Sequence, residues 1–496
     1  MTGVVLALDQ GTSSTRCFVV GPELDVRAVA SRPVTSSFPR PGWVEQDPEE
    51  IVQGAVESIR EAVDRAGVAW SEVLGIGIDN QTETFVVWER DTGRPVYPAI
   101  VWQCRRTAEA CGRLREQGHE PYIRERTGLE LDPSFSATKL AWVLENVAGA
   151  RTAADAGRLA FGDVASWLIW RLSAGAAHVT EPSNASRSML MGLEDLAWDD
   201  RLLALFGIPR SLLPEIIPTG SLFADTSADV LGASVPVAGA LGDQQAALFG
   251  QQCWAPGEAK VTLGTGAFIW ANAGPRPPMP PKGILGTCAW QLDSDVAYAF
   301  EGFIPVAGAA VSWLVEVGVI ADPPESESLV VDLGEGETGD VWFVPALAGL
   351  GAPTWDPFAK GTILGITRGT SRAQLVAAAL DGVAHQVVDA VEAMEPGIEG
   401  GFRTLRVDGG MARNDWLLQR LADLVGRSVE RPVNPEATGI GAASVAGLTL
   451  GLWSSRDDLR DRWILDRRFE PGMPPKTRDR LRQRWAGAVE QARSWG

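Results

Sequence analysis

Histidine is nearly absent: the 496 residues contain three, His119, His178 and His385, so acid–base chemistry here falls to carboxylates. Cysteine is scarce too. Cys17, Cys104, Cys111, Cys253 and Cys288 are odd in number and show no C-x-x-C spacing, which argues against a disulfide framework or a zinc site and for a reducing compartment. No uninterrupted apolar run reaches the roughly 20 residues that cross a bilayer. The N-terminus lacks the basic start, long apolar stretch and small-residue cleavage site of a signal peptide, so a cytoplasmic protein without membrane insertion is expected. Positive charge is in deficit, with 44 Lys and Arg against 63 Asp and Glu and a net charge of -19. Such a surface repels polyanions, and no nucleic-acid partner is expected. A small anion such as ATP needs only a local set of donors and is not excluded.

What is present is an ordinary well-cored composition, 45% hydrophobic and 22% charged. At about 100–200 residues per domain, the length predicts two to four domains. Val4–Asp9 is a short apolar run ending in an acid, followed by Gly11, a Thr/Ser cluster and a second apolar run, Cys17–Val20. That reads as strand, tight turn, strand. Gly75–Ile78, Phe85–Trp88 and Ala99–Trp102 repeat the strand signal, with a turn at Asp91-Thr92-Gly93. Ala165–Leu172 reads as a buried helix and Pro214 to Pro218 as a connector. After Gly257 the opening pattern partly recurs: Lys260–Leu263, the turn Gly264-Thr265-Gly266, and Ala267–Ala271. Leu405–Asp408 is a strand ending in Gly409-Gly410, and Gln374–Met394 is a long helical pattern. Gly274–Gly283 and the acidic Asp322–Asp340 read as surface loops. One glycine hairpin early in each half suggests two related domains facing a cleft.

In Asp9-Gln10-Gly11-Thr12-Ser13-Ser14-Thr15-Arg16, glycine lets the backbone approach a ligand, and hydroxyls with backbone N–H groups suit phosphate oxygens. Arg16 suits a phosphate and Asp9 suits Mg²⁺; a merely polar hairpin turn is the plainer reading of this motif alone. Gly264-Thr265-Gly266 and Asp408-Gly409-Gly410 with Asn414 are equally weak singly. As a set, with acids at strand ends, they match the actin and hexokinase ATPase architecture. Asp243-Gln244-Gln245 could accept the proton of an attacking hydroxyl, or Asp243 could simply cap the helix that follows. His178 and His385 read as structural, and the small-residue pattern Gly439–Gly451 as close helix packing.

The runs ALDQGTSSTR, GWVEQDPEEI, TGRPVYPAIVWQCRRTAE, HVTEPSNASRSML, GDQQAALFGQ, GLGAPTWDPFAKGTILGITRG and LRVDGGMARN occur in order along the chain. Through them the sequence resembles the glycerol kinases of the FGGY carbohydrate kinase family from about Val4 to Arg467. The resemblance implies an α/β chain of two actin-like, ribonuclease H-like ATPase domains around a central cleft. Residues 1–250 would carry the polyol site and base, and residues 251–496 the adenosine site. It implies ATP and Mg²⁺ as cofactors, with Asp9 toward the metal, Thr12, Ser13 and Arg16 toward the phosphates, and Thr265, Gly308, Ser312, Gly410 and Asn414 lining the rest of the nucleotide. It implies Asp243 as catalytic base and Glu83, Trp102, Gln244 and Phe268 around a small polyol, in a homo-oligomer, dimer or tetramer.

The resemblance fails at two polyol contacts. The family reads N-Q-R-E-T where this chain has Asn80-Gln81-Thr82-Glu83-Thr84, and D-P-Y-F-S where it has Asp132-Pro133-Ser134-Phe135-Ser136. Thr82 and Ser134 therefore shorten two donors and open space at one end of the pocket. Glycerol is the substrate the family implies; a tetritol, a pentitol, erythrulose, xylulose or ribulose is the alternative that the enlarged pocket favours. A non-catalytic actin-like nucleotide-binding protein is the reading from another class. Ser312 stands where the family usually has glutamine. The Gly/Lys/Arg-rich segment that binds a sugar bisphosphate regulator in some bacterial members is replaced by Val230-Leu231-Gly232-Ala233-Ser234, so no such regulation is expected.

Overall fold

The computed structural model describes residues 3–331, 333 and 339–493. Two twisted sheets organise it. The first runs Ala224–Asp225, Pro236–Gly242, Val73–Asn80, Val4–Gln10, Ser14–Val20, Val26–Pro33, with each strand bonded to the next in that order. Val4–Gln10 forms an antiparallel hairpin with Ser14–Val20 and is parallel to Val73–Asn80, which is parallel to Pro236–Gly242. The second sheet repeats the plan. Glu258–Leu263 is antiparallel to Ala267–Gly274 and parallel to Thr404–Asp408, which is parallel to Val429–Pro432. The recurring glycine hairpins thus mark a topological repeat, each followed by parallel strands that need long crossover connections.

The central strands bury both faces, which is why Val4–Leu8 is an unbroken apolar run rather than an alternating one. Helix Pro48–Ala66 covers one face of the first sheet. Asp47 caps its start by accepting the Glu49 N–H, and Gly67 ends it in the left-handed conformation with φ 64°. Its buried Ile51, Ala55, Ile59 and Ala62 share one side, each fully buried Ile contributing about 1.5–3 kcal/mol. In the second half the 23-residue helix Arg372–Met394, capped by Ser371 and Gln374, runs through the core.

The two halves meet where helix Asp243–Gly250 crosses helix Ala437–Thr449, which also packs on the first sheet. Here glycine is required sterically. A Cβ on Gly250 would lie 2.1 Å from the Ala437 carbonyl oxygen, and one on Gly441 would lie 1.9 Å from that of Ala246. The small-residue pattern is close backbone packing, as its sequence suggests.

Several local expectations shift. The strand expected over Ala99–Trp102 ends at Ile100, and the connector after Pro214 contains a short strand, Glu215–Ile216, paired with Val179–Thr180. The acidic segment read as a loop holds a helix, Glu325–Val331, begun by Asp322 Oδ1 accepting the Glu325 N–H; its residues 332 and 334–338 lie outside the described residues. All five cysteines are free and buried. Among the described residues no helix is long and apolar enough to cross a membrane.

Candidate active site

The first turn, Gly11 to Ser13, is closed by the Gly11 N–H donating to the Ser14 carbonyl at 2.9 Å. Asp9 and Arg16 face each other across the hairpin, and Arg16 Nη2 donates to Asp9 Oδ2 at 2.5 Å. Arg16 Nη1 also pairs with Glu436 at 2.7 Å, so this arginine ties the first hairpin to the start of helix Ala437–Thr449. Burial works against the Arg16 charge, but Asp9 and Glu436 outweigh it and hold the guanidinium above its ordinary value. Thr12 receives the Trp102 indole N–H at 3.0 Å, which couples the phosphate turn to the expected polyol pocket. The Ser13 carbonyl accepts the Val34 N–H at 3.0 Å.

Asp243 follows the end of strand Pro236–Gly242 and opens the next helix. Its Oδ1 accepts the Gln244 N–H at 2.7 Å, and Gly242 rather than Asp243 is the N-cap. Burial first, then Glu83, pushes the Asp243 carboxyl up to about 7, against the opposing pull of Lys260. Lys260 is fully buried and donates to Gln244 Oε1 at 2.5 Å and to Thr262 Oγ1 at 2.9 Å. With its oxygen so held, Gln244 has its amide N–H groups left for a hydroxylated ligand.

Glu83 adopts the left-handed conformation, φ 62°, unusual for a non-glycine residue. Its carbonyl accepts from Ser136 Oγ at 3.1 Å and Lys139 Nζ at 3.4 Å, and Lys139 also reaches the Val101 and Ser134 carbonyls. One buried lysine therefore pins three segments that carry expected polyol contacts. The Glu83 carboxylate accepts from Arg187 Nε at 2.6 Å and from the Thr82 hydroxyl at 2.9 Å. Arg187 pairs in turn with Glu301 of the second half at 2.7 Å, and its guanidinium stands over Phe135 and Trp270. Neither short replacement leaves a free donor. Thr82 bonds Glu83, and its methyl carbon would be 2.3 Å from a Cβ on Gly242, while Ser134 folds both N–H and hydroxyl onto Asp132 Oδ1 at 2.8 and 2.6 Å. Phe268 packs on Phe303 at a tilt of 35°, ring centroids 4.7 Å apart.

Where the nucleotide is expected, three glycine-bearing segments converge. The Gly308 N–H donates to the Gly264 carbonyl at 2.9 Å, and the Thr265 carbonyl accepts the Ala307 and Ala309 N–H groups. A Cβ on Gly308 would lie 2.6 Å from the Gly264 oxygen, and one on Gly409, at φ 90°, would lie 2.5 Å from the Leu263 oxygen. A Cβ on Gly410 meets nothing within 4 Å, so this residue borders open space that a ligand can enter. Ser312 is exposed one helical turn beyond Gly308, and Asn414 caps helix Asp415–Val425 through the Leu417 N–H.

Sequence reasoning missed Asp79, Lys260, Arg187, Glu301, Lys139 and Phe303. Asp79 follows directly on the strand run Gly75–Ile78, and an acid at a strand end was the available signal. It lies opposite Asp9, fully buried, and burial together with Asp9 and Asp243 raises its carboxyl well above the usual range. His178 and His385 are structural: burial lowers them to about 4 and about 3, His178 bonding the Phe161 carbonyl and His385 stacking on Trp485.

The sequence model of the N-terminal domain of the FGGY family of carbohydrate kinases matches residues 4–250, and that of its C-terminal domain matches residues 259–450. The chain is 46% identical over 492 residues to glycerol kinase 2 of Thermotoga maritima, covering 99% of each. It is 50% identical over 493 residues to the glycerol kinase of Citrifermentans bemidjiense, again covering 99% of each. The crystal structure of Plasmodium falciparum glycerol kinase with ADP superposes with a TM-score of 0.95 at 33% identity, over 99% of this chain and 98% of that one. A repeated α/β plan, a hairpin turn facing a buried carboxylate and matches along the whole length agree: the chain belongs to the FGGY family of carbohydrate kinases, ATP-dependent enzymes.

Proposed function

We propose that this chain transfers the γ-phosphoryl group of ATP to a terminal hydroxyl of a small polyol, glycerol to glycerol 3-phosphate in the first instance. The observation that carries the reading is Asp243: a carboxyl raised to about 7, next to Glu83 and a Gln244 oriented by Lys260, is poised to take a hydroxyl proton near neutral pH. In phosphoryl transfer the protein mainly positions the reactants and stabilises charge. Residues 1–250 would supply polyol contacts from Glu83, Trp102 and Gln244, with Phe268 from residues 251–496 covering the carbon backbone. Asp243 removes the proton as the oxygen attacks, and Arg16 with the N–H groups of the Gly11–Ser13 turn carries the charge on the phosphoryl oxygens. Thr265, Gly308, Ser312, Gly410 and Asn414 would line the nucleotide. Mg²⁺ suits the Asp9 side of the cleft, where the unpartnered oxygens of buried Asp79 fit a cation; when bound it neutralises phosphate charge. The same reading makes the enzyme a cytoplasmic homo-oligomer.

Thr82 and Ser134 favour a second reading, a longer polyol or ketose, because both side chains are satisfied within the protein and neither reaches out to a short substrate. ADP release from ATP-Mg, measured with glycerol, erythritol, threitol, the pentitols, erythrulose, xylulose and ribulose, decides between them. The highest kcat/KM is expected with glycerol. A longer substrate that outperforms it assigns the enzyme to that substrate, and the absence of any alcohol-dependent ADP release overturns both readings.

A further inference from the structure

Asp79 ends up buried without a hydrogen-bond donor of its own. It stands on strand Val73–Asn80 directly opposite Asp9, with Leu241 on its other side. Its side chain has no solvent exposure, and neither carboxylate oxygen has a hydrogen-bond partner. Its acidic neighbours, Asp9 and Asp243, carry the same sign of charge, and Arg16 is already shared between Asp9 and Glu436. An unpaired carboxylate in such surroundings is unfavourable unless a proton or a cation joins it.

The second sheet supplies an internal control. There Asp408 holds the matching place, opposite Thr262 on the strand entering the second glycine turn. It receives Gln251 Nε2 at 2.7 Å and lies in the field of buried Lys260. The same residue type at the same backbone position accepts a side-chain hydrogen bond in one half and none in the other, where the nearest cation, Arg16, is spent on Asp9 and Glu436. Asp9, for its part, gives Oδ2 to Arg16 and Thr438, and its Oδ1 lies 3.9 Å from where a Cβ on Gly11 would stand, toward the phosphate turn.

We propose that Asp79 acts with Asp9 as a second carboxylate for the divalent cation that accompanies the nucleotide phosphates. Among the described residues no three acidic, His or Cys side chains form a ready-made metal cage. That is the expected situation for Mg²⁺, which takes one or two carboxylates and completes its shell with phosphate oxygens and water. Metal should therefore bind well only with nucleotide present. The assignment rests on the kinase reading above, and the test separates the two.

The experiment is a Mn²⁺ titration followed by electron paramagnetic resonance on the full chain with ADP, for wild type, Asp79→Asn and Asp9→Asn. Asparagine keeps the size of the side chain and can donate to Asp9 in place of a shared proton. If a proton were all that joins the two acids, Asp79→Asn would bind Mn²⁺ like wild type, and that result overturns the proposal. The expected result is Mn²⁺ binding weakened at least about tenfold in Asp79→Asn, with ADP affinity in the absence of metal unchanged. If Asp9→Asn weakens binding and Asp79→Asn does not, the proposal alone fails. If neither does, the reading of the Asp9 side as the metal side fails with it. Should Asp79→Asn not fold, Asp79→Thr, the residue type opposite Asp408 in the second sheet, carries the same test.

Discussion

Asp9 and Thr262 occupy matching places in the two sheets: each is the penultimate residue of a strand entering a glycine turn, and each faces an aspartate on the next parallel strand. Around the first pair the neighbours are acids, with Asp243 and Asp79 close by, and Arg16 as the counter-charge. Around the second, Lys260 and Gln251 satisfy the site internally, Gly308 packs against the Gly264 carbonyl, and Gly410 borders open space. One backbone plan thus serves two chemistries. The first half concentrates carboxylates around one arginine, while the second leaves bare main chain at Gly410, the surface the proposed nucleotide would lie against.

Removing the base should break the comparison most visibly. Asp243→Asn is expected to lower kcat by about a hundredfold to ten-thousandfold while ADP and polyol affinities persist, as read by steady-state rates and calorimetry. Near-normal turnover would take the base out of the first half. In the second half, Gly409→Ala puts a Cβ against the Leu263 oxygen at positive φ and should cost about 2–4 kcal/mol in urea unfolding. Its neighbour Gly410→Ala meets open space and should leave stability within about 0.5 kcal/mol yet weaken ADP binding. Equal effects of the two on stability would contradict the division between structural and ligand-facing glycine. The pH profile is the gentlest probe. Asp243 must be ionised to act, and burial holds its carboxyl at about 7, so kcat/KM should level off above that pH and fall about tenfold per unit below it. A profile flat down to pH 5 would mean the carboxyl is not the base.

Both glycine hairpins were legible because a glycine turn between apolar runs is a local signal, whereas the base and polyol candidates came from the family resemblance, since Asp243, Glu83 and Trp102 lie outside such hairpins. The strand ending at Ile100 rather than Trp102 was not legible. Trp102 is held out of the sheet by Thr84 and Thr12, which lie 18 and 90 residues away in sequence. The ion pairs of Arg187 were hidden for the same reason, since Glu83 is 104 residues distant and Glu301 lies in the other half. Asp79 was missed because an apolar run is read only as far as its first charge, whereas the strand continues through that charge to Asn80. The helix Glu325–Val331 escaped because acidic residues and two prolines read as loop, while Asp322 begins the helix from just before them.

Helices Asp243–Gly250 and Ala437–Thr449 come into main-chain contact at Gly250 and Gly441, beside a shared cluster of Ala246, Leu248, Phe249 and Val445. Separating the helices there would open a void at closely packed main chain, and any added Cβ would clash, so this crossing fixes the distance between the two halves. The helices begin beside Asp243 and Glu436, so this one contact sets the spacing between the candidate base and the partner of Arg16.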